Sequence, residues 1–215
     1  MLAAAHVWLD ERVRYRVQRL EVFMLYMLAV GVAGSGIGGF FAHAFLADEV
    51  ADSIGWPAGN PFQLEVAFAN LALGILGILA MNRRGGFRDA TVIAVTIFAG
   101  GATITHVIDI VETGNLAAGN TVQNVANLLR PAVLIWLLLA IRRSDSAEGQ
   151  AGEPALEGPW RDTAIIAAAQ ATAAVSATFS LGYAVNQPAM GAVVGSLLAV
   201  AATAHAVTRA PPRHG

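Results

Sequence analysis

The stretch that decides the fold lies at residues 62–81 and reads FQLEVAFANLALGILGILAM. It is almost wholly apolar, with Glu65 as its single charged residue. A helix of about 20 such residues, rising ~1.5 Å per residue, crosses the ~30 Å hydrocarbon core of a bilayer. This stretch therefore predicts a transmembrane helix.

Five further stretches, on either side of the first, have a similar length and character. They cover residues 20–46, 90–111, 121–141, 163–183 and 189–207. The composition agrees, because a chain of 215 residues with 56% hydrophobic and 13% charged side chains lacks the polar surface that a soluble domain needs. The sequence predicts an all-α, polytopic transmembrane bundle of about six spans, with the lipid bilayer as a partner.

Arginine residues alternate along the connections between the predicted spans. They precede span one, separate spans two and three, separate spans four and five, and follow span six, while the other three connections contain none. Short loops rich in arginine stay in the cytoplasm. The alternation predicts cytoplasmic N and C termini and a multi-pass protein of the bacterial cytoplasmic (inner) membrane.

A polar, acidic segment interrupts the apolar pattern at residues 144–160, where Gly, Ser and Pro are frequent. Such a composition is typical of a flexible linker. The sequence therefore predicts three parts. They are an N-terminal cytoplasmic segment with a four-span unit over residues 1–143, a flexible cytoplasmic linker over 144–160, and a two-span helical hairpin with a short tail over 161–215.

The residue types that are missing from the sequence exclude several kinds of chemistry. There is no cysteine, so thiolate catalysis, disulfide exchange and covalently attached c-type haem are excluded. All 13 basic residues are arginine, and without lysine a retinal Schiff base cannot form. The net charge of −2 and the short arginine clusters provide no surface for nucleic acid.

Four ionisable side chains are predicted at similar depth in the outer half of the bilayer: His43, Glu65, His106 and Asp109. Charged groups at such depths are costly unless they are paired, so they are expected to face one another. Imidazole and carboxylate groups from three helices form a ligand set that iron, manganese or zinc accepts. The spacing matches no strict metal signature, and a metal-free polar network is the open alternative. Haem b ranks lower, because Asp109 one turn from His106 favours a hard cation.

Further polar residues on the same spans predict a supporting network, which consists of Asn70, Glu112, Asn124, Asn127 and Arg130. Helical side chains lean toward the N-terminus of their helix, so Arg130 is expected to point outward, toward the carboxylates. Two interpretations of this residue stay open. One is a structural ion pair with Glu65 or Asp109, and the other is an arginine that binds an anion.

The predicted outer loop at residues 47–61 carries a second periodic pattern. Leu46, Val50 and Ile54 recur every four residues with acidic side chains between them, which predicts a short amphipathic helix on the membrane surface. Trp56 follows and is expected to act as an interfacial anchor, in a loop that covers the site. Asn120 is expected to cap span four.

Small residues recur at four-residue spacing in span one. Gly34 is followed by Gly38, and Gly31 by Ser35 and Gly39. This spacing is common where transmembrane helices pack closely. The pattern predicts helix packing, with a groove for a ligand as the alternative.

The string at residues 40–79, FFAHAFLADEVADSIGWPAGNPFQLEVAFANLALGILGIL, resembles a family of small bacterial integral membrane proteins that has no assigned function. The resemblance is best over spans one to three. It implies a membrane protein and adds no activity and no functional residues.

Three hypotheses of function follow from these features. The leading one is a metal-binding integral membrane protein, and specifically an oxidoreductase acting on a lipophilic substrate that enters from the outer leaflet. The second is a small transporter or channel component with an ion or proton relay through Glu65, Asp109 and Arg130. The third is a structural or assembly subunit, as a homo-oligomer or within a membrane complex, whose polar cluster fixes the register of its helices.

Overall fold

The structure, a computed structural model, describes residues 2–10, 13 and 15–150. Its elements are helical, and no strand occurs among these residues. In chain order they are α1 (Leu2–Leu9), α2 (Arg16–Tyr26), a π-helical segment (Met27–Gly34), α3 (Ser35–Phe45), α4 (Ala47–Ile54), α5 (Phe62–Asn82), α6 (Gly86–Thr113) and α7 (Ala118–Gln150).

Four helical stretches are long and apolar enough to cross a membrane. They are Arg16–Phe45, Phe62–Asn82, Gly86–Thr113 and Ala118–Ser144, which confirms the first four predicted spans as helices. The two remaining predicted spans lie outside the described residues. The orientation of the termini stays a prediction.

The fourth span continues into the segment that was predicted as a linker. Helix α7 does not end near residue 143 but extends to Gln150, so the first residues of the predicted linker are helical. Continuing the helix keeps the backbone groups of these residues hydrogen-bonded, and Ala, Glu and Gln favour helix. The rest of the linker lies outside the described residues.

The described residues divide between two compact units, one of which contains 2–34 and 136–150. In this unit helix α2 is buried on several sides, because Val17, Val22, Met24 and Leu25 are each at most 2% exposed. Helix α1 packs on it through His6, whose Nδ1 lies 3.3 Å from the hydroxyl of Tyr26. His6 is fully buried, and the sequence patterns gave no reason to expect it.

The other unit, Ser35–Ile135, contains a close crossing of α3 and α5. A Cβ placed on Gly36 would lie 2.6 Å from the carbonyl oxygen of Asn70 and 2.6 Å from the amide nitrogen of Gly74, so the two backbones touch. At Gly39 a Cβ would lie 2.8 Å from the Asn70 side chain, whereas at Gly38 it would meet nothing. The predicted packing is present, but its centre is Gly36, which belongs to neither predicted run.

Glycines with positive φ turn the chain after α4 and after α6. These turns bring the loop after α4, the end of α6 and the start of α7 to the same end of this unit. Helix α4 confirms the predicted amphipathic helix and ends at Gly55 with φ 79°. Helix α6 ends at Gly114 with φ 72°, and α7 begins four residues later at Ala118. Only glycine adopts such φ values without strain. The loop after α4 and the α6–α7 turn are thereby brought together.

Candidate functional site

Five side chains from these elements form one hydrogen-bonded cluster, which we call the Asp109 network: Trp56, His106, Asp109, Asn115 and Asn120. Trp56 comes from the loop after α4, His106 and Asp109 from the last turns of α6, Asn115 from the α6–α7 turn, and Asn120 from the first turn of α7. All five belong to the unit Ser35–Ile135.

One carboxylate oxygen lies at the centre of the network. Asp109 Oδ2 accepts hydrogen bonds from Trp56 Nε1 at 2.9 Å, from Asn115 Nδ2 at 2.8 Å and from Asn120 Nδ2 at 2.8 Å. The hydroxyl of Thr113 donates to the other oxygen, Oδ1, at 3.3 Å. Donors of the protein thus satisfy much of the hydrogen-bonding capacity of this carboxylate.

The Asn120 side chain determines which ring nitrogen of His106 carries a hydrogen. Its Nδ2 donates to two acceptors, Asp109 Oδ2 at 2.8 Å and the Asn115 carbonyl at 2.8 Å, which uses both amide hydrogens. Its Oδ1 therefore faces His106 Nδ1, at 2.7 Å. An amide oxygen only accepts, so Nδ1 of His106 donates to it, and in the neutral ring Nε2 is left as a hydrogen-bond acceptor.

Trp56 covers the imidazole. Its indole ring stacks on His106 with 5.2 Å between ring centroids and 22° between planes, while its N–H is held by Asp109. Trp56 thus binds within the protein, and its role as an interfacial anchor stays a prediction. The reason is chemical: a partly buried indole N–H needs an acceptor, and the Asp109 carboxylate supplies one.

The backbone at the C-terminal end of α4 is held against the α6–α7 turn beside this stack. Asn115 Nδ2 donates to the Ile54 carbonyl at 2.9 Å, and a Cβ on Gly119 would lie 2.6 Å from the Ser53 carbonyl oxygen. The last turn of α4 therefore packs directly on Gly119 at the start of α7. Asn120 lies inside α7, in its first turn, and its side chain bonds to the network, so the predicted capping role of Asn120 was wrong.

Two of the four predicted metal ligands meet in this network, and the other two lie apart from it. His106 and Asp109 are joined through Asn120. His43 Nδ1 instead pairs with Gln63 Oε1, and Glu65 is exposed. No group of three or more His, Asp or Glu side chains that could hold a metal ion occurs in the described part of the chain. The metal site stays a prediction that this arrangement of donors does not support.

The predicted supporting residues are spread along the helices. Asn70 donates to the Val66 carbonyl at 2.9 Å within α5, and Glu112 is exposed. Asn124 Nδ2 donates to the Asn120 carbonyl at 2.9 Å, and its Oδ1 is enclosed without a partner among residues 15–144. Asn127 is buried on the same helix.

Arg130 does not form the expected ion pair. Neither Glu65 nor Asp109 forms an ion pair or a hydrogen bond with Arg130 in the described part of the chain. Asp109 contacts α7 at Asn120, and Arg130 lies about 15 Å farther along that helix at ~1.5 Å per residue. The distance along the helix is the physical reason for the missing pair.

Sequence patterns did not identify Asn115 and Asn120 as members of the site. Asparagine is common in turns and at helix starts, so neither residue stood out. Gln63, the partner of His43, was also missed. The available signal was the position of Asn115 directly after Gly114, at the end of the helix that carries both His106 and Asp109.

Comparisons with known proteins identify a family and give no activity. No curated protein matches the chain, and no solved structure matches it. A family model described as a family of unknown function, DUF6790, matches residues 1–147, which include every residue of the Asp109 network. This agrees with the resemblance to an uncharacterised family of membrane proteins. The chain belongs to the family of unknown function DUF6790.

Proposed function

We propose that this integral membrane protein binds the hydrogen-bonding head of a lipid-soluble molecule at His106 and exchanges a proton with it. The observation that carries the proposal is the fixed tautomer: Nδ1–H is committed to Asn120, while Nε2 has no hydrogen-bond partner among the described residues. An imidazole held in one tautomer with its second nitrogen open has the geometry of a general base.

The network supports this role electrostatically. Asp109, Asn120 and His106 form a chain in which a carboxylate polarises an amide and the amide oxygen faces the imidazole N–H. Linked hydrogen bonds of this kind polarise one another. His106 Nε2 is thereby suited to take a proton from a hydroxyl group, and the resulting imidazolium can return it.

The surroundings favour a lipid-soluble partner. His106 lies near the end of a helix that is long and apolar enough to span a membrane. Val107, Ile108 and Val111, which follow it on the same helix, are 46%, 49% and 78% exposed, so this end of α6 presents an apolar surface to a lipid-soluble molecule. Trp56 supplies a flat aromatic cover next to the reacting nitrogen. A phenol or alcohol with an apolar tail fits this combination of groups.

In the metal-dependent oxidoreductase that the sequence predicts, the same histidine would bind a metal ion instead of exchanging a proton. A metal at His106 would have Nε2 as its ligand atom there, and Asp109 would have to release donors from Trp56, Asn115 or Asn120. The two hypotheses differ in metal content. A stoichiometric transition metal that both His106→Ala and Glu65→Ala remove would favour the metal site and overturn the proton-transfer proposal.

A structural role is the second candidate function, and the ties between the α4 loop and the α6–α7 turn favour it. In this case the Asp109 network would hold the loop closed for assembly and no molecule would bind at Nε2. The transporter hypothesis has less support, because Glu65, Asp109 and Arg130 make no contact with one another in the described ranges. Measuring binding at His106 separates the first two functions.

The experiment uses the purified full chain in lipid bilayers, with nitrogen NMR of labelled histidine as the measurement. We expect a His106 signal of the Nδ1–H tautomer. Added para-nonylphenol should shift the Nε2 resonance, whereas nonylbenzene, which lacks the hydroxyl, should not. His106→Phe keeps the aromatic stack and removes the nitrogen, so it should weaken phenol binding about 3- to 10-fold, the value of one hydrogen bond.

His43→Phe is the matched control, since it removes the histidine that pairs with Gln63 and leaves the Asp109 network intact. It should bind the phenol as the wild type does. An Nε2–H tautomer of His106, or equal binding of the phenol and nonylbenzene, would show that Nε2 does not recognise a hydroxyl. The structural role would then be the better account.

A further inference from the structure

Arg130 is a cation in the middle of a membrane-spanning helix. It lies in the candidate span Ala118–Ser144, about 18 Å from Ala118 at ~1.5 Å per residue. It is partly buried. Snorkelling toward headgroups is available to arginine near a helix end, but Arg130 is far from both ends of the span. Its charge therefore needs a partner at this depth.

The described part of the chain provides no anion for it. Arg130 has no hydrogen bond or ion pair with any residue in the described part of the chain. The two apolar stretches outside that part cannot supply a carboxylate either, because residues 163–215 contain neither Asp nor Glu. The nearest polar residues on the same face of α7, Asn124 and Asn127, are uncharged. A partly buried cation without a counter-charge destabilises the protein unless another molecule supplies the negative charge.

We infer that Arg130 binds an oxyanion, a carboxylate or phosphate, carried into the bilayer as the head of an amphiphile. The planar guanidinium presents paired N–H groups that match two oxygens of such a head. On the same helix Leu129 and Val133 are 60% and 37% exposed, which leaves an apolar surface near Arg130 for the acyl chain. This inference does not depend on His106 or on the proposed proton transfer.

The test compares the wild-type full chain with Arg130→Gln in lipid-free micelles, using unfolding midpoint and native mass spectrometry. The probes are oleate, dioleoyl phosphatidate, oleyl alcohol and inorganic phosphate. Oleate and phosphatidate should raise the midpoint of the wild type by binding the folded state, and oleyl alcohol should not. Arg130→Gln should bind oleate about 10-fold more weakly or worse, as expected for the loss of charge-assisted hydrogen bonds. Arg143→Gln is the control, because Arg143 is exposed near the end of the same helix.

The source of the oxyanion follows from the probes. If inorganic phosphate alone raises the midpoint and displaces oleate, the site takes its oxyanion from water. If phosphate has no effect, the amphiphile is the ligand. Oleate binding that is equal in wild type and Arg130→Gln, or equal for oleate and oleyl alcohol, would overturn the inference.

Stability without ligand separates binding from a structural role. An arginine without a partner destabilises the empty protein, so ligand-free Arg130→Gln should unfold at or above the wild-type midpoint. A lower midpoint would mean that Arg130 already has a stabilising partner within the chain, which would also overturn the inference. Arg130→Lys keeps the charge and loses the planar fork, and it should bind oleate more weakly than the wild type even if Arg130→Gln does not fold.

Discussion

Replacing Asn120 by leucine tests the centre of the Asp109 network, because this side chain is fully buried and joins three groups. Leucine has a similar size but leaves the buried His106 N–H and the Asn115 carbonyl without their partner. Each orphaned buried group costs about 1–3 kcal/mol. The Asn115 carbonyl belongs to a half-buried residue, so its share is at the low end. We expect a loss of about 2–4 kcal/mol in the free energy of unfolding.

The assay is reversible unfolding by SDS in mixed micelles, followed by circular dichroism. Gln123→Leu is the control, since Gln123 lies one turn along the same helix and is exposed. It should change stability by less than about 0.5 kcal/mol. Asn120→Asp should be worse than Asn120→Leu, because it removes both amide donors and places a second carboxylate against Asp109. The assigned amide orientation would be refuted if Asn120→Leu lost no more stability than Gln123→Leu. It would also be refuted if Asn120→Asp kept the stability of the wild type.

Three further predictions concern the helices and loops around the network. Gly36→Val should disrupt the crossing of α3 and α5 and lower the free energy of unfolding by about 1–3 kcal/mol through overpacking. Gly38→Val, where a Cβ would meet nothing, should lower it much less in the same SDS assay. Gly55→Ala should lose about 1 kcal/mol or more, because alanine is strained at the left-handed φ of this helix end, and a neutral effect would contradict the loop geometry. In a topology assay, a reporter fused after Arg84 should report the cytoplasm and one fused at Ala58 the outside, and the opposite pair would refute the orientation.

The membrane fold could be predicted because its signal is carried by single segments. A run of apolar residues long enough to span a bilayer is recognisable without knowledge of its neighbours. The first four spans and the amphipathic helix α4 were therefore found from sequence. The end of α7 was predicted too early, since a polar composition does not by itself stop a helix that has already formed.

The site could be predicted only in part because its contacts are long-range. His106 and Asp109 stood out as ionisable residues in a span, and the structure joins them in one network. Their partner Asn120 was expected to act locally, as a helix cap, and Trp56 was expected in a loop that covers the site but without a bond to Asp109. Which donor reaches Asp109 depends on two glycine-ended turns, and the directions these turns take are not visible in residue spacing.

The position of the glycine crossing was missed for a different reason. The predicted runs assumed one helical period along span one, whereas residues 27–34 form a π-helical segment. A π-helix has a different hydrogen-bond spacing from an α-helix, so the faces before and after it are not in register. Gly36, two residues beyond this segment, faces α5, and Gly38 does not.

The two halves of the Asp109 network lie far apart in the chain. During synthesis one half is therefore made well before the other. Trp56 and its acceptor Asp109 are 53 residues apart, and Ile54 and Asn115 are 61 apart. At about 5–20 residues per second, ribosomes need roughly 3–12 s to make the chain between them. Through that interval the loop after α4 has no partner to close on. A nascent chain that is arrested before Asp109 should therefore expose Trp56 to a water-soluble quencher, and one arrested well beyond Asn120 should protect it.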